Sequence, residues 1–404
     1  MAEIIDEHID GLLKATSRSF HLTLTSLPNS VRDQVGLLYL LARLADTIAD
    51  SKTEDVEALI EALDGYQNHL LNEEKIDLSN IAQLQEDADE KRLLENLESV
   101  VNAYRNMDAK DSRLMQRCLN VIISGQRLDL VRFGALGSEL TCLENDAELD
   151  DYAYRVAGSV GEFWTAITLQ NELSGDVPDT DTFDSLGIRF GKALQMTNIL
   201  RDIPADLALG RCYIPNDRLS EIGLNHEDLH NPDSIDVFRP LYDSYLDLTC
   251  DHYDSAINYI RMIPRKYRSL RMACMLPVVI GLDTIALLRN GNVLDASERI
   301  KVNRSRIRKI AVSCLISTRF KGMENRILSR AANRALNGIC TCSRPLKRPA
   351  RARGRGSRAN DEGLPSALPC LKTRAPIPQA TCGTMLSVAF HLWMQMFKTL
   401  VLRV

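Results

Sequence analysis

The chain has 404 residues, of which 45% are hydrophobic, enough for a sizeable core in one large domain or two ordinary ones. Its ten cysteines form neither paired CxxC motifs nor a zinc-binding spacing, which favours reduced thiols over a disulfide scaffold. The first ten residues are acidic and lack the basic and apolar regions of a secretory signal. We therefore expect a cytoplasmic protein.

The net charge of −5 is the sum of two segments of opposite charge. From Lys301 onward there are 21 Lys and Arg against 3 Asp and Glu, a net charge of +18. The preceding residues contain 28 basic and 51 acidic side chains, a net charge of −23. This division predicts an acidic folded domain followed by a basic segment.

Residues 1 to about 310 predict a succession of amphipathic helices, because apolar residues recur at intervals of three and four. The clearest stretches are 30–50, 111–131, 150–170, 184–203 and 271–290. Strand signals are few, and the sequence has no glycine-rich nucleotide-binding motif. The predicted fold class is all-α.

The stretch 272–288 is the most apolar of these helices. It is shorter than the about 20 residues that span a bilayer, and it contains Pro277 and Asp283. We interpret it as a buried helix.

Two aspartate pairs share one spacing. Asp46 and Asp50 lie four residues apart in LARLADTIAD (41–50), and Asp202 and Asp206 repeat this spacing within 195–215. One such pair is common on solvent-exposed helices, but two pairs in apolar helical sequence, each near an arginine, suggest carboxylates facing one another across a cavity. Buried carboxylates repel one another, so a cation should lie between them. Mg²⁺ is the natural candidate, because it binds carboxylates together with substrate phosphates. The two aspartate pairs and the nearby arginines therefore predict a diphosphate site.

The motifs, in their order along the chain, resemble those of the squalene and phytoene synthase family of head-to-head isoprenyl diphosphate synthases. The matching segments are SRSF (17–20), YLLARLADTIAD (39–50), YAYRVAGSVGEFW (152–164), QMTNILRDIPADLALGRCYIP (195–215) and KVNRS (301–305). The resemblance covers about residues 8–312. Its segment VAGSVGEFW (156–164) is most similar to bacterial squalene synthases. It implies a single large helical bundle around a central active-site cavity, the isoprenoid synthase fold, over residues 1–315, followed by an irregular basic tail over 316–404.

The resemblance also implies roles for individual residues. The implied metal ligands are Asp46, Asp50, Asn198, Asp202 and Asp206. The implied substrate contacts are Ser19, Tyr39, Arg43, Gln195, Asn198, Arg201 and Arg211. Tyr152 occupies the position of an active-site tyrosine, and the four aspartates count with it as catalytic. Arg211 and Lys301 are candidates for contacts with NADPH.

Some of these residues have simpler interpretations. Gly158 and Gly161 have two compatible interpretations. They allow close helix packing, or they help to shape a dry tunnel that protects a carbocation. Tyr39 and Trp164 are more typical of a core than of cation stabilisation.

Beyond about residue 320 the helical period is lost and the chain becomes rich in Arg, Pro, Gly and Ala. This composition predicts disorder, and we expect a chain ending near residue 325 to fold. Residues 384–404 have the composition of an amphipathic or marginal membrane anchor, but the abrupt loss of pattern favours a shifted reading frame. We predict no nucleic-acid partner and a monomer. Peripheral membrane association for product release stays open.

The resemblance implies a magnesium-dependent transferase of the farnesyl-diphosphate farnesyltransferase type, acting in isoprenoid biosynthesis. We predict that two farnesyl diphosphates condense to presqualene diphosphate and then, with NADPH, to squalene, a precursor of sterols, hopanoids or carotenoids. Two alternatives stay open: a phytoene or dehydrosqualene synthase, which needs no hydride, and a non-catalytic helical assembly factor of the same fold. The presence of all four aspartates favours an enzyme.

Overall fold

The structure, a computed structural model, describes residues 4–17, 24, 27–53, 55–72, 74–134, 139–297, 299–320 and 322–338. Within these ranges nearly all of the regular secondary structure is helical, which confirms the predicted all-α class. Ser19 and the residues after 338 lie outside the described ranges, so the predictions made for them stay predictions.

The helices of the first part of the chain surround the first aspartate motif. They are α1 (Glu7–Ser17), α2 (Asn29–Ala49), α3 (Val56–Asn72), α4 (Ser79–Leu84), α5 (Ala88–Glu95), α6 (Leu97–Arg105) and α7 (Ala109–Phe133). Helix α2 is buried along most of its length and packs against α7. The first aspartate pair is therefore presented from a helix inside the core.

The second part of the chain supplies the opposite side of the core. Its elements are β1 (Thr141–Cys142), α8 (Asp146–Ala153), α9 (Ser159–Asn171), α10 (Thr180–Arg201), α11 (Ile203–Leu207), β2 (Arg211–Cys212), α12 (Asn216–Glu221), α13 (Ile235–Met262), α14 (Arg268–Leu288), α15 (Arg304–Ser317) and α16 (Met323–Asn337). A π-helical turn, Tyr154–Gly158, joins α8 to α9. Short 3₁₀ turns cover His226–His230 and Pro232–Ser234.

The two short strands fix the position of Arg211. They pair in parallel, with Thr141 opposite Arg211 and Cys142 opposite Cys212. This pairing ties the chain that follows the second aspartate motif to the segment that follows α7. Arg211 is therefore held by backbone hydrogen bonds next to the core.

Glycines allow α9 and α10 to approach at backbone distance. A Cβ atom on Gly161 would lie 2.0 Å from the carbonyl oxygen of Gly187, and one on Gly191 would lie 2.0 Å from that of Ala157. No side chain fits in that space. The structure therefore supports the packing interpretation of Gly161.

Helix α14 confirms the prediction of a buried helix over 272–288. Among the described residues it is the one helix long and apolar enough to span a membrane, but 89% of its most apolar window is buried inside the protein. Its Asp283 is buried and is paired with arginines from the two following helices.

Helix α16 corrects the predicted start of the irregular tail. Leu328, Ala331 and Ala335 are buried, and Arg334 Nε donates a hydrogen bond to Asp283 Oδ1 of α14 at 2.9 Å. Packed helical structure thus continues past residue 315, and a chain ending near 325 would lack most of α16. The helix escaped prediction because two of its inward positions are alanines, which give a weak apolar signal beside three arginines.

Candidate active site

The first aspartate pair lies at the C-terminal end of α2. Asp46 is buried, and its carboxylate accepts a hydrogen bond from Gln126 Nε2 of α7. Burial, reinforced by the neighbouring Asp50, raises the pKa of Asp46 well above its usual range, despite the opposing charge of Arg43. Asp50 caps the helix, and its Oδ1 lies 3.6 Å from Arg211 Nη2.

The second pair lies where α10 ends and α11 begins. Asp202 caps α10, and the break is consistent with Pro204 in the first turn of α11. Asp202 Oδ1 accepts hydrogen bonds from Arg201 Nε at 2.9 Å and from Arg299 Nη2 at 2.7 Å. Burial acts to raise the pKa of Asp202, but the two guanidinium groups outweigh burial and lower it.

Asp206 lies in a different environment from Asp202. It is buried, and its Oδ2 has no hydrogen-bond partner within the described part of the chain. Burial, together with the charge of Asp202, raises the pKa of Asp206 well above its usual range, although Arg211 opposes the shift. An isolated carboxylate in this position is costly unless a cation accompanies it.

Arg211 connects the two motifs, which are about 150 residues apart. It lies 3.6 Å from Asp50 of the first pair, and its charge opposes the upward shift of the pKa of Asp206 in the second. One buried guanidinium group therefore acts on a carboxylate of each pair.

Buried polar atoms around the second motif also have unused hydrogen-bonding capacity. Among the described residues, no partner is found for the amide nitrogen and oxygen of Asn198 or for Gln195 Oε1. Both side chains are buried. Each unsatisfied buried group costs about 1–3 kcal/mol of stability. A group of such atoms is typical of a site that binds a ligand.

These oxygens fit Mg²⁺ shared with a substrate better than a closed metal site. In the part of the chain that is described, no three His, Cys, Asp or Glu side chains converge to hold a metal by themselves. Mg²⁺ commonly takes one or two carboxylates and completes its shell with water and phosphate oxygens. Asp206 and Asn198, with free oxygens, are suited to this arrangement.

Tyr152 lies in an aromatic and acidic cluster beside Arg211. Its buried ring stacks on Tyr213 with centroids 4.4 Å apart, and the two side chains are hydrogen-bonded. The Tyr213 hydroxyl donates to Asp129 Oδ2 at 3.4 Å. The π-helical turn begins two residues after Tyr152; such turns are frequent at functional sites.

Asp129 is a site residue that the sequence reasoning missed. Burial raises its pKa to about 7, although Arg211 and Arg132 oppose the shift. Its Oδ1 has no hydrogen-bond partner among the described residues. The available signal was its place on the same face of α7 as Gln126 and Phe133, both of which are buried.

Three other candidates prove to be engaged in the core. Arg43 forms a buried ion pair with Glu90, so a diphosphate would compete with that carboxylate for it. The Tyr39 hydroxyl donates to the Thr16 carbonyl at 3.1 Å. Tyr39 and Trp164 are both buried, in agreement with their interpretation as core residues.

The two NADPH candidates lie in different environments. Lys301 is exposed and lines a cavity of about 360 Å³ with Arg299 and Asn290, whereas Arg211 is buried beside Asp50 and does not line that cavity. Arg299, which the sequence reasoning also missed, connects the cavity to Asp202. Of the two candidates, Lys301 is the better placed to contact a phosphate group in this cavity.

Known structures share this fold. A ligand-bound structure of TcSQS superposes with a TM-score of 0.64 at 19% identity, covering 82% of this chain and 97% of that chain. A ligand-bound dehydrosqualene synthase superposes with a TM-score of 0.50 at 19% identity, covering 77% of this chain and 94% of that chain. At this identity the likeness concerns the fold alone.

The sequence identifies the family. The sequence model of the squalene/phytoene synthase family matches residues 13–306 of this chain. The chain therefore belongs to this family. The match spans both aspartate motifs and the π-helical turn.

Curated relatives fall into more than one product class. A bifunctional lycopene cyclase/phytoene synthase of Colletotrichum graminicola is 29% identical over 318 residues, covering 76% of this chain and 50% of the relative. The squalene synthase of Bos taurus is 26% identical over 282 residues, covering 69% and 62%. The presqualene diphosphate synthase of Zymomonas mobilis is 27% identical over 261 residues, covering 63% and 75%. The matched region thus spans about half of the fungal relative, and identity does not separate the product classes.

Proposed function

We propose that this protein joins two allylic prenyl diphosphates head to head in a magnesium-dependent reaction. One observation carries the proposal: the buried Arg211 lies 3.6 Å from Asp50 and acts electrostatically on Asp206, near amide and carboxylate oxygens that lack partners among the described residues. Relatives named squalene, phytoene and presqualene diphosphate synthases support it. A non-catalytic assembly factor would not need to retain these costly buried carboxylates.

The aspartates would hold the metal, and the arginines would stabilise the leaving group. Bound Mg²⁺ neutralises the charge that develops on a departing diphosphate. Asp46, Asp50, Asp202, Asp206 and Asn198 are the residues that would hold it. Arg201, Arg211 and Arg299 add fixed positive charge at the same place, so diphosphate departure is favoured electrostatically.

The tyrosine cluster offers a path for a proton. Forming presqualene diphosphate from two farnesyl diphosphates releases one diphosphate and one proton. We propose that the Tyr152 hydroxyl accepts this proton while passing its own to Tyr213, which passes a proton to Asp129 Oδ2. The buried rings also exclude water from the carbocation.

We propose squalene as the final product, with NADPH supplying the hydride that no side chain can provide. The cavity with Lys301 and Arg299 beside Asp202 supports this choice, because it offers two cations to a phosphate group. The alternative is phytoene or dehydrosqualene, whose formation needs no hydride. It is supported by the phytoene synthases among the relatives.

Product analysis with and without NADPH tests the proposal. The full chain is incubated with farnesyl diphosphate and Mg²⁺, and products are separated by mass spectrometry. We expect presqualene diphosphate without NADPH and squalene with it. Dehydrosqualene that forms regardless of NADPH would replace the squalene assignment, and a strong preference for geranylgeranyl diphosphate would indicate a phytoene synthase. No condensation product from either substrate would contradict the enzyme proposal.

A further inference from the structure

Helix α15 has an apolar face that the described part of the protein leaves uncovered. Its inner positions, including Ile307, Ile310 and Cys314, are buried in the core. Four large apolar side chains on its other side and in the turn that follows are exposed by 42–58%: Val312, Leu315, Ile316 and Phe320. Their spacing of three and four residues places the first three on one face.

Basic residues accompany these apolar side chains. Residues 301–320 contain six Lys and Arg and no Asp or Glu. Arg306 turns inward to pair with Asp283, whereas Arg308, Lys309 and Arg319 are exposed. On a helical projection Arg308 and Lys309 lie on either side of Val312, so charge and apolar surface share the outer face.

This combination distinguishes α15 from the rest of the described surface. Six other large apolar side chains are exposed in the described part of the chain, but they are spread over several helices: Leu71 on α3, Leu84 on α4, Val131 on α7, Val237 and Leu248 11 residues apart on α13, and Leu336 on α16. Single exposed apolar residues are ordinary, whereas a contiguous group marks an interaction surface. The preceding 300 residues carry a net charge of −23, so the positive charge of this segment is local.

We infer that the outer face of α15, formed by Val312, Leu315, Ile316 and Phe320 with Arg308 and Lys309, docks the protein on an anionic lipid bilayer. Apolar side chains enter the boundary between headgroups and acyl chains, and cations bind lipid headgroups, as in helices that lie in the membrane interface. Lys301, three residues before the helix, lines the cavity beside Asp202. The N-terminal end of the docked helix therefore lies close to that cavity.

Vesicle sedimentation with the full chain tests the inference. The vesicles contain phosphatidylcholine with or without phosphatidylserine. We expect binding to the anionic vesicles, weakened about tenfold or more by the double variant Leu315→Glu/Ile316→Glu, because it removes apolar area and adds repulsion. The matched control Val237→Glu/Leu248→Glu changes side chains exposed by 50% and 42% on α13 and should bind like the wild type.

A second variant separates charge from apolar contact and serves if the first fails to fold. Arg308→Gln/Lys309→Gln should weaken binding to anionic vesicles and reduce its dependence on salt. Full binding by both α15 variants would overturn the inference, because the basic segment after residue 338 would then suffice. Self-association that the α15 variants abolish, without vesicle binding, would instead make the face a protein interface. Diphosphate release by the variants reports separately on the proposed function.

Discussion

The four aspartates of the site are chemically unequal. Asp202 is paired with two arginines and Asp50 with one, whereas Asp206 has an unpartnered oxygen among the described residues. Asp46 has an amide partner and a raised pKa. Replacing each aspartate should therefore affect stability differently, even where turnover falls in every case.

Asp206→Asn should abolish turnover without destabilising the fold. Removing this carboxylate removes a proposed metal ligand, and we expect a loss of about 100-fold or more in rate. It also relieves the burial of a charge and its repulsion with Asp202, so the melting temperature should stay the same or rise. Diphosphate release and thermal unfolding measure the two effects. Near-normal turnover in the variant would remove Asp206 from the metal site.

Asp129 should make stability depend on pH. Its pKa is about 7 in the folded protein and about 4 in an unfolded chain, so the unfolded chain loses its proton first as pH rises. This carboxyl therefore stabilises the fold below about pH 4, and that contribution is lost as pH rises to about 7. Asp129→Asn cannot titrate, so its melting temperature relative to the wild type, without metal, should rise over this range. A constant difference would mean that Asp129 does not titrate there.

Single residues were the hardest features to predict from the sequence. The aspartate pairs repeat a spacing and could be recognised, but Asp129 stands alone in an apolar helix and Arg299 lies in a charged stretch. Their importance comes from contacts with Tyr213 and with Asp202, which are far away along the chain. Local patterns do not contain such contacts.

At the level of elements, the contact between α9 and α10 depends on glycine. Gly161→Ala would place a methyl group 2.0 Å from the Gly187 carbonyl oxygen, which forces the helices apart and should cost about 1–3 kcal/mol of unfolding free energy. The control is Gly11→Ala in α1, where nothing lies within 4 Å of the new Cβ. That variant should be neutral or more stable by up to about 1 kcal/mol. Equal effects in chemical denaturation would contradict the close packing.

Helix α16 should unfold cooperatively with the rest of the helical domain. A chain ending after Gly338 retains the ion pairs of Arg334 with Asp283 and of Glu324 with Arg271, and its unfolding should match that of the full chain. A chain ending after Gly322 leaves both α14 partners without these contacts, and should lose about 3 kcal/mol or more. Denaturant unfolding of the two truncations measures the difference. If both were equally stable, α16 would not contribute to the fold.

Hydrophobic periodicity predicted the long helices well and their interruptions poorly. Stretches 30–50 and 111–131 correspond closely to α2 and α7. Stretch 150–170 was predicted as continuous, but the π-helical turn divides it, because one extra residue per turn leaves little trace in an apolar pattern. Stretch 184–203 runs past the end of α10 at Arg201, where Asp202 caps the helix.

For the whole molecule, the sequence alone could not show that the two aspartate motifs meet. That expectation came from chemistry, since buried carboxylates need a cation, and from the family resemblance. In the structure Arg211, held by the strand pair, lies 3.6 Å from Asp50 and acts electrostatically on Asp206. The charge division also has a structural counterpart, because Arg306 and Arg334 of the basic segment lie on helices that pack on α14 and pair with its Asp283.

Metal-dependent diphosphate release tests the central proposal most directly. The full chain is mixed with farnesyl diphosphate, and inorganic diphosphate is measured with Mg²⁺ and after chelation, for the wild type, Asp206→Asn and the control Asp254→Asn, which changes an exposed aspartate on α13. We predict release by the wild type and by Asp254→Asn with Mg²⁺ only, and none by Asp206→Asn. Release that persists after chelation, or that Asp206→Asn retains, would contradict a magnesium–diphosphate site at the two aspartate pairs.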